Sequence, residues 1–273
     1  MINRETIQVN VSQIFALTEK NVKLDLRFKF KLIFSFISPI ISIIVPIIIM
    51  DKFFGFNIDF GPWDQSNYAV YIILAYIILL VQGIRSTFPR QFSREKYWQT
   101  LPALIIAPFN RINLLFGIFF SHLIIIFIPI TIFIGMCYIF FPISLITLLF
   151  IIAILFLIAL TFSGIGIILG ILAISKENWM PIINFSLGLL FMISCISFPF
   201  EVFPNIIQNI VNLNPLYHIF YFLRVAWIEN NLILSITSHL FSFITLVGLA
   251  IVLPCIGVIV FNKVYKKYGI VGY

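Results

Sequence analysis

Residues 144–174 read SLITLLFIIAILFLIALTFSGIGIILGILAI, an apolar run without one Asp, Glu, Lys or Arg. About 20 such residues, coiled as a helix, cross the ~30 Å hydrocarbon core of a bilayer. A strand-built span would instead alternate polar and apolar residues over about ten positions, and this run does not alternate. Five more windows free of those four residue types lie at 33–50, 67–84, 112–140, 180–199 and 236–261. The sequence therefore predicts an all-α membrane protein with six transmembrane helices. The 112–140 and 144–174 windows are long enough to tilt, or to lay an end along the interface.

Composition excludes the soluble alternative. Of 273 residues, 62% are hydrophobic and 10% charged, whereas a soluble domain carries about a quarter charged residues. The 33–50 window begins too far into the chain, and runs too long, for a cleaved signal peptide.

The net charge of +7 is distributed by topology. With the N-terminus inside, only Lys52 and Arg224 of the 17 Lys and Arg residues fall outside. Basic residues concentrate on the cytoplasmic side of membrane proteins, so both termini are expected in the cytoplasm of a multi-pass cell-membrane protein. The basic residues then mark orientation and attraction to anionic lipid, not nucleic acid. Cys137, Cys195 and Cys255 lie in apolar windows without metal-type spacing. An odd number there gives no disulfide framework, and packing is their expected role.

Residues 1–31 are too polar to span. From Val22 to Leu32 apolar and polar residues alternate, which formally argues strand. A lone strand at a membrane surface leaves its edges unpaired, whereas Lys and Arg stems snorkel from a helix. An interfacial helix feeding the first span is expected, then a six-helix domain over 32–261 and a basic tail over 262–273. Asp51–Asn67 reads as a turn-rich outer loop. The longest inner connection, 85–111, mixes five basic residues with Leu101, Leu104, Ile105, Ile106 and Phe109, the pattern of an amphipathic helix packed against something. Tight turns are expected at 140–143 and 175–179.

The segment 200–235 lies outside yet is apolar. Ile206, Ile207, Ile210, Val211 and Leu213 recur at helical spacing between Pro204 and Pro215, and a second piece runs from Leu216 to Trp227. Neither piece is long enough to cross. Two half-length helices bent at Asn214-Pro215 read as a re-entrant or interfacial hairpin before the last span.

No glycine-rich loop ends in Gly-Lys-Ser or Gly-Lys-Thr, so no nucleotide-binding P-loop is visible. Gly166 and Gly170 have the spacing that lets helices approach closely. No Asp, Glu, Lys or Arg falls within a span, although ion-driven transporters use such groups. His122 and His239 lie nearest, and polar contacts near the interface are their expected role. The chain offers no nucleophile–base pair and no metal cluster for covalent chemistry. Pro39, Pro46, Pro129 and Pro254 within spans read as kinks.

Two stretches carry a family likeness. One runs Arg94-Glu95-Lys96-Tyr97-Trp98-Gln99-Thr100-Leu101-Pro102, through Ala107-Pro108-Phe109-Asn110-Arg111, to Leu114-Leu115-Phe116-Gly117. The other joins Phe203-Pro204 to Asn214-Pro215-Leu216-Tyr217-His218 and Arg224. Both resemble the permease subunit of type-two ABC exporters, which include drug-resistance and polysaccharide-export permeases. Pro102 stands where many members carry an acidic residue. The resemblance implies a homodimer or pseudo-dimer of permeases, coupled to separate ATP-binding subunits that hold ATP and magnesium, with no cofactor on this chain. Residues Arg94, Glu95, Lys96, Trp98, Thr100, Leu101 and Arg111 then dock the ATPase. Pro204, Asn214, Pro215, Tyr217, His218 and Arg224 then form an outer hairpin that either gates the path or only anchors the fold, with Arg224 expected to snorkel or pair with Glu201 or Glu229. A non-transport membrane scaffold is the main alternative. A lipid-modifying membrane enzyme is disfavoured by the missing catalytic groups. Aromatic content of 17% suits drugs, lipids and sugars equally.

Overall fold

A computed structural model of the chain describes residues 4–27, 61–64, 67–100, 110–175 and 180–268, and the single positions Ile33, Ile37, Ile41, Ile44 and Ile48. No strand occurs among the described residues. The helices are α1 (Arg4–Leu26), α2 (Tyr68–Gln82), α3 (Ile84–Tyr97), α4 (Arg111–Phe140), α5 (Leu145–Ser175), α6 (Met180–Met192), α7 (Asn205–Leu213), α8 (Pro215–Glu229), α9 (Leu232–Ser238) and α10 (Leu240–Tyr268).

Among the described residues four helices are long and apolar enough to cross a membrane: Tyr68–Tyr97, Ile112–Phe140, Leu145–Ser175 and Leu240–Val264. They correspond to the expected second, third, fourth and sixth spans. The expected first span, 33–50, lies outside the described residues apart from five isoleucines, which are helical and exposed. The expected fifth span, 180–199, is helical only over Met180–Met192. Cys195 takes a left-handed backbone (φ 54°), and Pro199 follows, so apolarity alone does not keep this stretch helical.

Two boundaries also differ from expectation. The second span does not stop at residue 84. Gly83 itself is helical (φ −53°, ψ −25°), so α2 and α3 form one rod that carries the start of the expected inner connection. At the other end α10 continues past residue 261 to Tyr268, and so takes in part of the expected tail.

α5 is the central post, packed between α3 and α10. Lipid tails are as apolar as leucine, so helices associate in a membrane by close packing. Three glycines on α5 permit it. A Cβ on Gly166 would lie 2.7 Å from the Phe88 ring, and one on Gly170 would lie 2.5 Å from the Phe92 ring. A Cβ on Gly164 would strike the backbone of Leu253 and Pro254 in α10. The close approach expected at Gly166 and Gly170 is therefore present, and its partner is α3. Large rings fill the interior: Tyr71, Phe88, Phe92, Phe133, Phe162, Phe220, Phe222 and Trp227 are almost wholly buried. Phe92 stacks on Phe261 at 5.9 Å, and Phe162 on Phe220 at 6.2 Å.

Candidate functional site

Polar side chains concentrate in two places, at opposite ends of the α2–α3 rod. The first is the end of α3. Its last turn closes with Gln99 in a left-handed conformation (φ 56°). Gln99 N donates to Lys96 O at 3.1 Å, and Thr100 N donates to Glu95 O at 3.1 Å, which is the Schellman arrangement of helix ends. The closure brings the Thr100 hydroxyl onto the Glu95 carboxylate.

Glu95 faces inward, its side chain 3% exposed. Lys20 of α1 donates to its Oε1 at 2.7 Å, and Gln91 Nε2 donates to the same oxygen at 2.9 Å. Gln91 also donates to Asn21 Oδ1 at 3.1 Å. Arg94 lies 3.7 Å from Asp25, donates to Gln91 Oε1, and sits 5.3 Å from the Trp98 ring centroid. A buried carboxylate needs several donors to offset the loss of water, and α1 supplies one of them. Further along, Asn113 Nδ2 donates to Asn10 at 2.8 Å and Gln13 at 2.7 Å. A Cβ on Gly117 would lie 2.6 Å from Leu17 Cβ. α1 is thus strapped across α3 and α4. Within α1, Glu19 and Lys23 pair at 2.6 Å one turn apart, which supports a helix of otherwise modest apolarity.

The charges of the 94–96 stretch have a use within the bundle: Glu95 and half-buried Arg94 bind α1. Lys96, Tyr97, Trp98 and Thr100 remain exposed. Leu101 lies outside the described residues. Arg111 opens α4, whose cap is Asn110, accepting from Ile112 N at 3.0 Å. Lys20, Asn21, Asp25 and Gln91 were not singled out from the sequence. Their signal was a polar stripe along α1, from Asn10 and Gln13 to Lys20, Asn21 and Asp25.

The second site gathers around Arg224. Pro204 caps α7, and Asn214 separates α7 from α8 with extended backbone, its side chain accepting from Leu216 N at 3.0 Å. Pro215 fills the first position of α8, where its missing N–H costs nothing. The chain therefore breaks its helix at Asn214-Pro215. Tyr217 stacks on Phe200 at 5.3 Å, and His218 contacts Asn212 O at 2.9 Å. His239 contacts Glu229 at 3.3 Å and His122 contacts Thr87 at 3.0 Å, the polar contacts expected of both.

Arg224 does not snorkel. It is 3% exposed and donates to Cys195 O at 2.7 Å and to Ile196 O. Its guanidinium lies 3.8 Å from the Tyr71 ring centroid, and the Tyr71 hydroxyl donates to the same Cys195 O at 2.7 Å. Trp63 packs edge-on against Tyr71 at 4.6 Å. The reason for burial is the chain break after α6, whose carbonyls need donors. A narrow cleft beside this cluster is lined by Trp63, Tyr71, Phe200, Glu201, Tyr217 and Arg224.

Neither site brings together groups that could make or break a covalent bond. Both instead join separate segments of the chain through buried polar contacts. No curated protein matches the chain. A model of the ABC-2 type transporter family matches residues 12–228. That match runs from within α1 to the end of α8, taking in both polar sites and well over half of the sequence, and the chain belongs to the ABC-2 type transporter family.

Proposed function

We propose that this chain is the permease subunit of an ATP-driven exporter, two copies of it enclosing a path for a drug-, lipid- or polysaccharide-like substrate. The observation that carries the reading is the family match over residues 12–228. A separate ATP-binding subunit, holding ATP and magnesium, drives the cycle. Six spans with both termini cytoplasmic complete the topology: residues 33–50 form the first, and α6 with the following turn forms the fifth. The 15-to-2 division of basic residues supports this orientation. The ATPase docks on the exposed rim at the end of α3, where Lys96, Tyr97 and Trp98 protrude, and Glu95 and Arg94 act there indirectly by holding α1.

The test is association followed by transport. The tagged chain, expressed with a candidate ATP-binding cassette protein, should co-purify with it in detergent and stimulate its ATPase in liposomes. Lys96→Glu with Trp98→Ala should weaken association several-fold without lowering the yield of folded chain. A chain that recruits no ATP-binding protein and moves no substrate is a membrane scaffold, and the proposal falls.

A further inference from the structure

α6 is held at one end. Among the described residues Phe191 is the one buried position of this helix, whereas Ile182, Phe185 and Met192 are 60%, 67% and 76% exposed. Thirteen residues rise only about 20 Å, short of the ~30 Å hydrocarbon core. The helix therefore ends at a depth where lipid offers no donors to free carbonyls, and protein must supply them.

Three side chains do so, one each from α2, α8 and the junction between α7 and α8. Asn214 Nδ2 donates to Leu190 O at 2.9 Å. Tyr71 donates to Cys195 O, and Arg224 bridges Cys195 O and Ile196 O. The left-handed turn at Cys195 leaves two successive carbonyls within reach of one guanidinium. Phe191 completes the attachment, with its ring 5.8 Å from Phe162 and 4.5 Å from the Arg85 guanidinium. The carbonyl end of a helix carries partial negative charge, so a buried cation is favoured at this place.

We infer that Asn214, Arg224 and Tyr71 are positioning residues that pin the C-terminal end of α6, making it the fixed pivot about which the exposed remainder of the helix swings. The pinned end is geometry; the link to transport rests on the permease reading above. Arginine is required because its fork donates to two carbonyls at once, whereas a lysine ammonium is a point charge.

The experiment uses the full chain in nanodiscs, with Cys137, Cys195 and Cys255 changed to Ser. The anchor uses the Cys195 carbonyl and survives that change. Spin labels at Met192 and Ile182 are each paired with one at Leu149 on α5. In the parent, the distance distribution to Ile182 is broader than that to Met192; equal widths overturn the pivot. Arg224→Gln broadens the Met192 distribution and raises label mobility there several-fold. Arg224→Lys gives a smaller rise, and Tyr71→Phe, which deletes one hydroxyl and keeps the ring, a smaller one still. A Met192 label as ordered in Arg224→Gln as in the parent overturns the anchor. With an ATP-binding partner in liposomes, Arg224→Gln and Arg224→Lys reduce substrate moved per ATP hydrolysed several-fold while the ATPase rate holds. An unchanged ratio overturns the positioning role. If no ATP-binding protein associates, the permease reading falls, and the label widths still decide the anchor.

Discussion

Replacing Lys20 by Met removes the donor that α1 contributes to the buried Glu95 carboxylate, and the structure sets the size of the effect. A hydrogen bond to a charged group contributes about 1.5–3 kcal/mol. The Lys20 side chain is 39% exposed, so water replaces part of the lost interaction. Gln91 and Thr100 still reach the carboxylate. The low end of the range applies, about 1.5 kcal/mol, or about tenfold in the equilibrium between strapped and released α1. Amide hydrogen exchange reads that equilibrium segment by segment. Amides from Gln13 to Lys23 should exchange about tenfold faster in Lys20→Met, while those of α5 stay unchanged. Glu95→Gln should show a smaller rise, because the amide keeps an acceptor for Lys20 and no buried charge is left unpaired. Unaltered exchange in α1, or an equal rise in α5, would refute the reasoning: the first would leave Lys20–Glu95 without strapping force, the second would make it a general stabiliser.

Gln99 holds a left-handed conformation that costs a side-chain-bearing residue about 1–2 kcal/mol; Gln99→Gly should raise thermal stability in detergent, and a loss of stability would show that the side chain makes a needed contact. Gly164→Ala should destabilise by about 2–3 kcal/mol, the upper part of the overpacking range, because the backbone it meets cannot rotate aside. Gly188→Ala, with nothing within 4 Å of its Cβ position, should be neutral or stabilising by up to ~1 kcal/mol, and similar losses at both sites would reject close packing as the cause. In intact cells a cysteine at Asp59 should react with an impermeant label and one at Lys267 should not; the reverse pattern overturns the orientation.

The helical class and much of the span pattern were legible because one property, uninterrupted apolarity, decides them. The helix break at Asn214-Pro215 was legible because proline at the first turn and asparagine before it act locally. What could not be read was partnership. Glu95 and Lys20 lie 75 positions apart, and nothing local distinguishes a carboxylate that will be buried from one that faces water. Arg224 shows the same limit more sharply. Its fate depends on a turn at Cys195 that no glycine announces, and the donors and acceptors at that turn come from three separate segments. The break within 180–199 was hidden because Ile, Ser, Cys and Phe are tolerated equally in a continued helix and in an irregular turn that protein covers.

Glu95 and Tyr71, which serve the two polar sites, stand about 36 Å apart along one helical rod. A rod carries a tilt from one end to the other only if its joints are stiff, and this one has two weak points. Gly83 lacks a side chain to restrict it, and Pro89 lies inside α3 without an N–H. The sequence around Gly83 compensates. Gly83 O accepts from Ser86 N at 3.1 Å, from Ser86 Oγ at 2.8 Å and from Thr87 Oγ1 at 3.3 Å. Thr87 is tied in turn to His122 on α4 at 3.0 Å. Beyond the joint, Phe88 and Phe92 are seated on Gly166 and Gly170 of α5, which holds the stretch on either side of Pro89 against the post. Interfaces packed this closely switch between discrete arrangements and do not deform smoothly. A shift of α1 that moved the end of α3 would therefore have to tilt the rod as a unit, with Tyr71 at its far end held by the Cys195 carbonyl.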